Sequence, residues 1–104
     1  MMTTMLRAHH FSGFGNDGPR LIVLGAVHGN ETCGTKGIAR VLAELDSGQW
    51  RVERGALTLV PVANPLAYER GTRIGERNLN RRLQPTPTPR VFEDHIANRL
   101  CPWL

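Results

Sequence analysis

Lysine is nearly absent from this 104-residue chain: of its 13 basic residues only Lys36 is a lysine, and the others are arginines. Cysteine is scarce as well. Cys33 and Cys101 are the only two, too few for a disulfide framework. Aromatic residues make up 6% of the chain, which leaves few rings on which nucleic-acid bases could stack. A net charge of +4 would suit a polyanion. The arginines are not spread along a stripe, however, and Arg70, Arg73, Arg77, Arg81 and Arg82 crowd one short segment. Nucleic acid is therefore set aside as a partner in favour of an acidic small molecule. No apolar run approaches the ~20 residues that cross a bilayer, so no membrane role is expected. Residues 1–7 lack the apolar stretch of a secretory signal. A cytoplasmic setting is the default that remains, and composition fixes no oligomeric state.

What is present is an alternation of elements. Residues 8–19 hold a dense cluster of turn formers around Gly13, Gly15, Asn16 and Pro19. His9 and His10 read as surface residues near a mobile end. Leu21 to Leu24 is a continuous apolar run, consistent with a strand buried on both faces. A helix begins at Thr32 or Cys33, with Ile38, Val41, Leu42 and Leu45 on one face and Gly48 as a left-handed cap. Ala56 to Val62 reads as a second strand, with Pro61 near its end or at an edge. Strand, helix, strand in this order is a βαβ unit of an α/β fold. Residues 64–82 have no clear period and read as a functional loop region. Pro85, Pro87 and Pro89 form a stiff spacer, and Pro89 to Leu100 reads as a helix with Phe92, Ile96 and Leu100 in one stripe. A sheet of two or three strands is small for these apolar faces. Trp103 and Leu104 look like the approach to another buried element. The chain is thus expected to be the N-terminal part of a longer single domain.

The densest chemistry lies in Gly25-Ala26-Val27-His28-Gly29-Asn30-Glu31, directly after the apolar run. His-x-x-Glu at the end of a buried strand presents an imidazole and a carboxylate, both of which zinc accepts. The flanking Gly25 and Gly29 suit a sharp turn and a close backbone approach. Glu31 falls near the first turn of the following helix, where the dipole favours an acid. On spacing alone, His28 would be a loop histidine and Glu31 a helix-start acid; the position after a strand and between glycines favours a metal pair. Cys33 is expected as a small packing residue and His95 as a helix-face histidine. Arg70, Arg77 and Arg82 read as surface charges.

Gly25 to Glu31, then Asn64-Pro65-x-Ala67, then Arg73, then Asn78-Leu79-Asn80-Arg81-Arg82 resembles the succinylglutamate desuccinylase/aspartoacylase family, within the zinc carboxypeptidase-like group. The resemblance covers residues 20–100, in order. It implies an α/β fold with a mixed sheet and flanking helices, here truncated, one zinc ion, and hydrolysis of an N-acyl amino acid or a related amide or ester. It assigns His28 and Glu31 as zinc ligands. Arg73 would polarise the scissile carbonyl, and Asn80 and Arg81 would hold the substrate carboxylate. Residue 78 is often aspartate in relatives. The third ligand, a histidine on a later strand, and the catalytic glutamate have no counterpart in residues 1–104.

These residue types suit amide hydrolysis. Zinc brings water to nucleophilic strength near pH 7, a guanidinium stabilises charge developing on a carbonyl oxygen, and arginine grips a carboxylate with a two-point fork that lysine cannot copy. Two ligands without a third hold zinc weakly. These residues alone are therefore expected to be inactive and a full-length parent active. The rival is a non-catalytic module that binds an anion through the Arg70–Arg82 cluster.

Overall fold

The structure is a computed structural model that describes residues 5–14 and 17–104. Gly15 and Asn16, within the turn cluster, and residues 1–4 lie outside the described residues. The elements are β1 (His9–Ser12), β2 (Arg20–Leu24), α1 (Cys33–Asp46), β3 (Ala56–Val60), α2 (Pro65–Arg70), α3 (Phe92–Leu100) and a closing 3₁₀ turn (Cys101–Trp103).

The sheet order is β1-β3-β2. β2 runs parallel to β3, with Leu21 opposite Leu57 and Leu24 opposite Val60. The α1 crossover between them completes the expected βαβ unit. β1 pairs antiparallel with β3, His9 opposite Leu59 and Ser12 opposite Ala56, so the sheet is mixed. His9 and His10 are exposed as expected. They belong to a paired strand, though, and not to a mobile end.

β3 is the central strand, and this reverses the burial expected of β2. Leu59 and Val60 are buried, whereas Leu21 on β2 is 59% exposed and the rest of that strand half-buried or exposed. An apolar run shows that a strand wants cover but cannot say which strand lies in the middle. β3 ends at Val60, and Pro61 follows it, where a missing N–H costs no ladder bond.

The main hydrophobic cluster gathers where β3 ends at Val60. Val60, Ala63, Leu79, Ile96, Ala97, Leu100 and Leu6 form its buried part, flanked by Leu24, Val27, Phe92 and Trp103. Trp103 is already packed here, with its ring 5.5 Å from that of His10 in an edge-on contact. α1 buries Ile38 of its apolar stripe, while Val41 is 40% exposed. The helix is pinned by Thr35 Oγ1, which donates to the Pro61 carbonyl at 2.7 Å. Cys33 is its first residue and is exposed, so it does not pack as expected. Gly48, with φ of +80°, follows the helix end as a left-handed residue.

Residues 64–82 begin with a helix rather than a loop. Asn64 Oδ1 accepts the Ala67 N–H at 3.2 Å, Pro65 opens α2, and Gly71 closes it at φ of +67°. A capping asparagine, proline in the first turn and glycine just past the end are a helix signature. A six-residue helix is too short for an apolar period to register. The last helix starts at Phe92, three residues later than the expected Pro89.

Candidate functional site

The β2 and β3 chain ends continue to pair beyond the strands. Ala63 N–H donates to the Gly25 carbonyl at 2.7 Å and Asn64 N–H to the Ala26 carbonyl at 3.0 Å. This holds the turn carrying His28 beside the start of α2. The sharp turn is made at Ala26, a non-glycine residue at φ of +48°, a strained conformation of the kind that persists where neighbours enforce it. Gly29 is needed for a different reason. A Cβ there would lie 2.1 Å from the Ala67 carbonyl carbon, so α2 can approach only a glycine.

His28 and Glu31 come together. His28 Nδ1 lies 3.2 Å from Glu31 Oε2, with the imidazole side chain 11% exposed and the carboxylate 62%. Arg73 reaches the same oxygen, its Nη1 donating at 3.4 Å. Both partners of that ion pair are more than half exposed, a class worth about 0–1 kcal/mol. Arg73 is therefore adjacent to the pair but not locked onto it. Its backbone is held more firmly, because the Gly29 N–H donates to the Arg73 carbonyl.

The other face of the imidazole identifies its tautomer. The Asn80 N–H donates to Asn78 Oδ1 at 3.0 Å, so the oxygen of that amide, not its NH₂, faces this corner. The same Oδ1 lies 2.9 Å from His28 Nε2. An amide oxygen only accepts, so Nε2 must carry the proton. Nδ1 then faces a carboxylate oxygen 3.2 Å away, and in the Nε2–H tautomer of the neutral ring it carries a lone pair there. Two lone pairs at that distance repel unless a cation, a proton or a metal ion, sits between them. Ligand atoms of a tetrahedral zinc, each at ~2.0–2.2 Å from the metal, lie ~3.3 Å apart. The observed spacing fits two such ligands. No group of three or more His, Cys, Asp or Glu side chains able to hold a metal ion occurs among the described residues. His95, on the exposed side of α3, does not join the pair.

Asn80 and Arg81 follow in the same loop. Both side chains are exposed, and Asn78 Oδ1 fixes the Asn80 backbone. A hollow of about 330 Å³ is lined by Arg77, Asn78, Arg81 and Arg82. Arg77, expected at the surface, is only 17% exposed. Its Nε donates to Asp94 Oδ1 at 2.9 Å, and its Nη groups donate to the carbonyls of Asn78, Arg81 and Arg82. One guanidinium thus ties the loop that carries the candidate carboxylate grip to α3. Asp94 also accepts the Arg90 and Val91 N–H groups. The Arg90 amide first, then the Arg77 guanidinium, lower its pKa from 3.8 to about 2. A fully buried carboxylate, Glu93, lies one residue earlier and accepts from Asn64 and from the loop backbone. Sequence reasoning gave Asn64, Glu93 and Asp94 no individual part. Asn64-Pro65 carried the helix-start signal, but nothing local marks a carboxylate whose partners lie 16 to 29 residues away.

The sequence profile of the succinylglutamate desuccinylase/aspartoacylase catalytic domain matches residues 17–100. No curated protein matches the chain. An aspartoacylase family protein from Mesorhizobium loti, solved at 2.00 Å resolution, aligns with a TM-score of 0.76 and 28% identity, over 91% of this chain and 29% of that one. A succinylglutamate desuccinylase from Vibrio cholerae aligns with a TM-score of 0.71 and 25% identity, over 84% of this chain and 25% of that one. The chain spans less than a third of the length of either structure.

Proposed function

This chain belongs to the succinylglutamate desuccinylase/aspartoacylase family, and from that premise we propose that it carries two of three zinc ligands in a hydrolase of N-acyl amino acids or related amides or esters. The observation that supports this most is His28 Nδ1 facing Glu31 Oε2 at 3.2 Å while Nε2 is taken by Asn78 Oδ1 at 2.9 Å, which turns two atoms of the kind zinc accepts toward one another.

His28 and Glu31 would hold the ion. Asn78 would keep the imidazole in the ligating tautomer, as outer-shell acceptors do. Zinc, when bound there, supplies a Lewis acid and activates water near neutral pH. Arg73, with 57% of its side chain exposed, is free to leave Glu31 and donate to a substrate carbonyl, where developing negative charge is stabilised by a fixed cation. Arg81 would take the substrate carboxylate by two parallel N–H donors, and Asn80 would add a third that sets its orientation. The fit to solved relatives more than three times as long supports placing the third ligand and the general base outside these residues. We accordingly expect hydrolysis only from a form that also carries those groups, and none from these 104 residues by themselves.

A second reading is favoured by the hollow lined by Arg77, Asn78, Arg81 and Arg82: a module that binds an anion without chemistry. Zinc titration against a chromogenic chelator separates the two. The chain should compete weakly for zinc and lose that ability in His28→Ala. A form extended to the length of the solved relatives should take up one equivalent and hydrolyse an N-acylated acidic amino acid. An extended form that takes no zinc, and that behaves identically as His28→Ala, leaves only the anion-binding module.

A further inference from the structure

We propose that Glu93 is a positioning residue for this site: its buried carboxylate holds the segment Arg73–Asn78 in shape through three consecutive backbone amides. The inference rests on the reading of His28 and Arg73 given above, but its test needs no zinc.

Glu93 is fully buried, and none of the five ion pairs among the described residues involves it. Its charge is met by N–H donors. Oε2 accepts from Gly75 N at 2.9 Å, from Glu76 N at 3.1 Å and from Asn64 Nδ2 at 2.9 Å. Oε1 accepts from Arg77 N at 3.1 Å and Glu76 N at 3.2 Å. Successive amides converging on one anion form a nest. Here the anion is supplied by the protein itself. The clasp is reciprocal, because Glu76 Oε1 accepts the Phe92 N–H at 2.6 Å.

The geometry is selective for a carboxylate. A glutamine could offer its oxygen to one set of amides only, and its NH₂ would face donors on the other side. Gly75 is a glycine because the carboxylate comes so close: a Cβ there would lie 2.7 Å from Glu93 Oε2 and 2.8 Å from Leu66 Cδ2.

The held segment bears directly on the candidate site at both ends. Two residues before Gly75, the Arg73 carbonyl takes the Gly29 N–H and its side chain reaches Glu31. One residue after Arg77, Asn78 Oδ1 meets His28 Nε2. Asn64 closes the circuit: it caps α2 with Oδ1 while its Nδ2 donates to Glu93. Releasing the amides at 75–77 therefore frees the acceptor that fixes the His28 tautomer.

The test is Glu93→Gln in the 104-residue chain, with two NMR readouts at a pH where imidazole is neutral. Amide exchange at Gly75, Glu76 and Arg77 should accelerate at least about tenfold relative to the core amides of β3, as loss of a charged hydrogen bond implies. The His28 imidazole ¹⁵N signals should move from the Nε2–H form toward a mixture of tautomers. Ile96→Val, which thins the core under the same helix, should lower Tm and leave both signals in place. Unchanged exchange at 75–77, or faster exchange with an unchanged His28 signal, overturns the assignment. Should Glu93→Gln not fold, Gly75→Ala displaces the same carboxylate without removing it, and the same two readouts decide. Zinc titration of the unmutated chain is scored separately, so failure of metal binding and failure of this coupling are distinguishable.

Discussion

Asn78 Oδ1 and His28 Nε2 lie 2.9 Å apart across 50 residues of sequence, and this contact leaves Nδ1, not Nε2, to face Glu31. It predicts that Asn78→Leu, similar in size but without an acceptor, weakens zinc binding by the extended protein about 10- to 100-fold, the usual cost of losing an outer-shell partner. Asn78→Asp keeps the acceptor and should retain affinity within a few-fold. Competition against a fluorescent chelator measures both. Equal affinity for Asn78→Leu and the unmutated protein would show that His28 needs no such partner.

The neighbouring residue links this contact to the core. Leu79 is fully buried between Asn78 and the exposed Asn80. Removing its side chain should cost about 2–5 kcal/mol by the usual large-to-small range. Urea unfolding of Leu79→Ala should show that loss at an unchanged m-value. A cost below about 1 kcal/mol would mean that the loop is not anchored through Leu79.

What could be read in the sequence was local. The βαβ unit, the end of β3 at a proline, the stripe of α3 and the proximity of His28 to Glu31 all follow from spacings of a few residues. Burial of β2 was misread because order within a sheet is a long-range property. α2 was missed because it is one and a half turns long, although Asn64, Pro65 and Gly71 marked its ends. β1 was hidden in His-His-Phe-Ser, which has no strand-like apolar alternation and owes its form to pairing with β3. Arg77 reads as a surface charge in the sequence because only the fold reveals the three carbonyls and the aspartate around it.

Asp94 gives the chain a defined acid sensitivity. Hydrogen bonds from the Arg90 amide and the Arg77 guanidinium hold its pKa at about 2 against an ordinary 3.8. A carboxylate with a depressed pKa in the folded state adds stability that is complete above the unfolded value and lost as pH falls through the folded one. Its contribution should therefore fade between about pH 4 and pH 2. Asp94→Asn should flatten the stability–pH curve in that window and lower Tm at neutral pH. Parallel curves for the two proteins from pH 5 to pH 2 would assign acid sensitivity to other carboxylates.

Arg81 tests how the loop reads its ligand. Its side chain is exposed, and its backbone is set by Arg77, whose Nη1 donates to the Arg81 carbonyl at 2.7 Å. If the guanidinium grips a carboxylate through a two-point fork, charge alone will not replace it, because an ammonium is a point donor without that plane. Arg81→Lys should then lose most of the affinity that Arg81→Ala loses, about tenfold or more. NMR titration of the Asn80 and Arg81 amides with an N-acetylated acidic amino acid reads this directly. Full affinity in Arg81→Lys, together with a steep fall in binding as salt rises, would reduce the loop to a general basic patch. Tighter binding of single-stranded nucleic acid than of the small carboxylate in the same titration would restore the polyanion class that the scarcity of aromatics argued against.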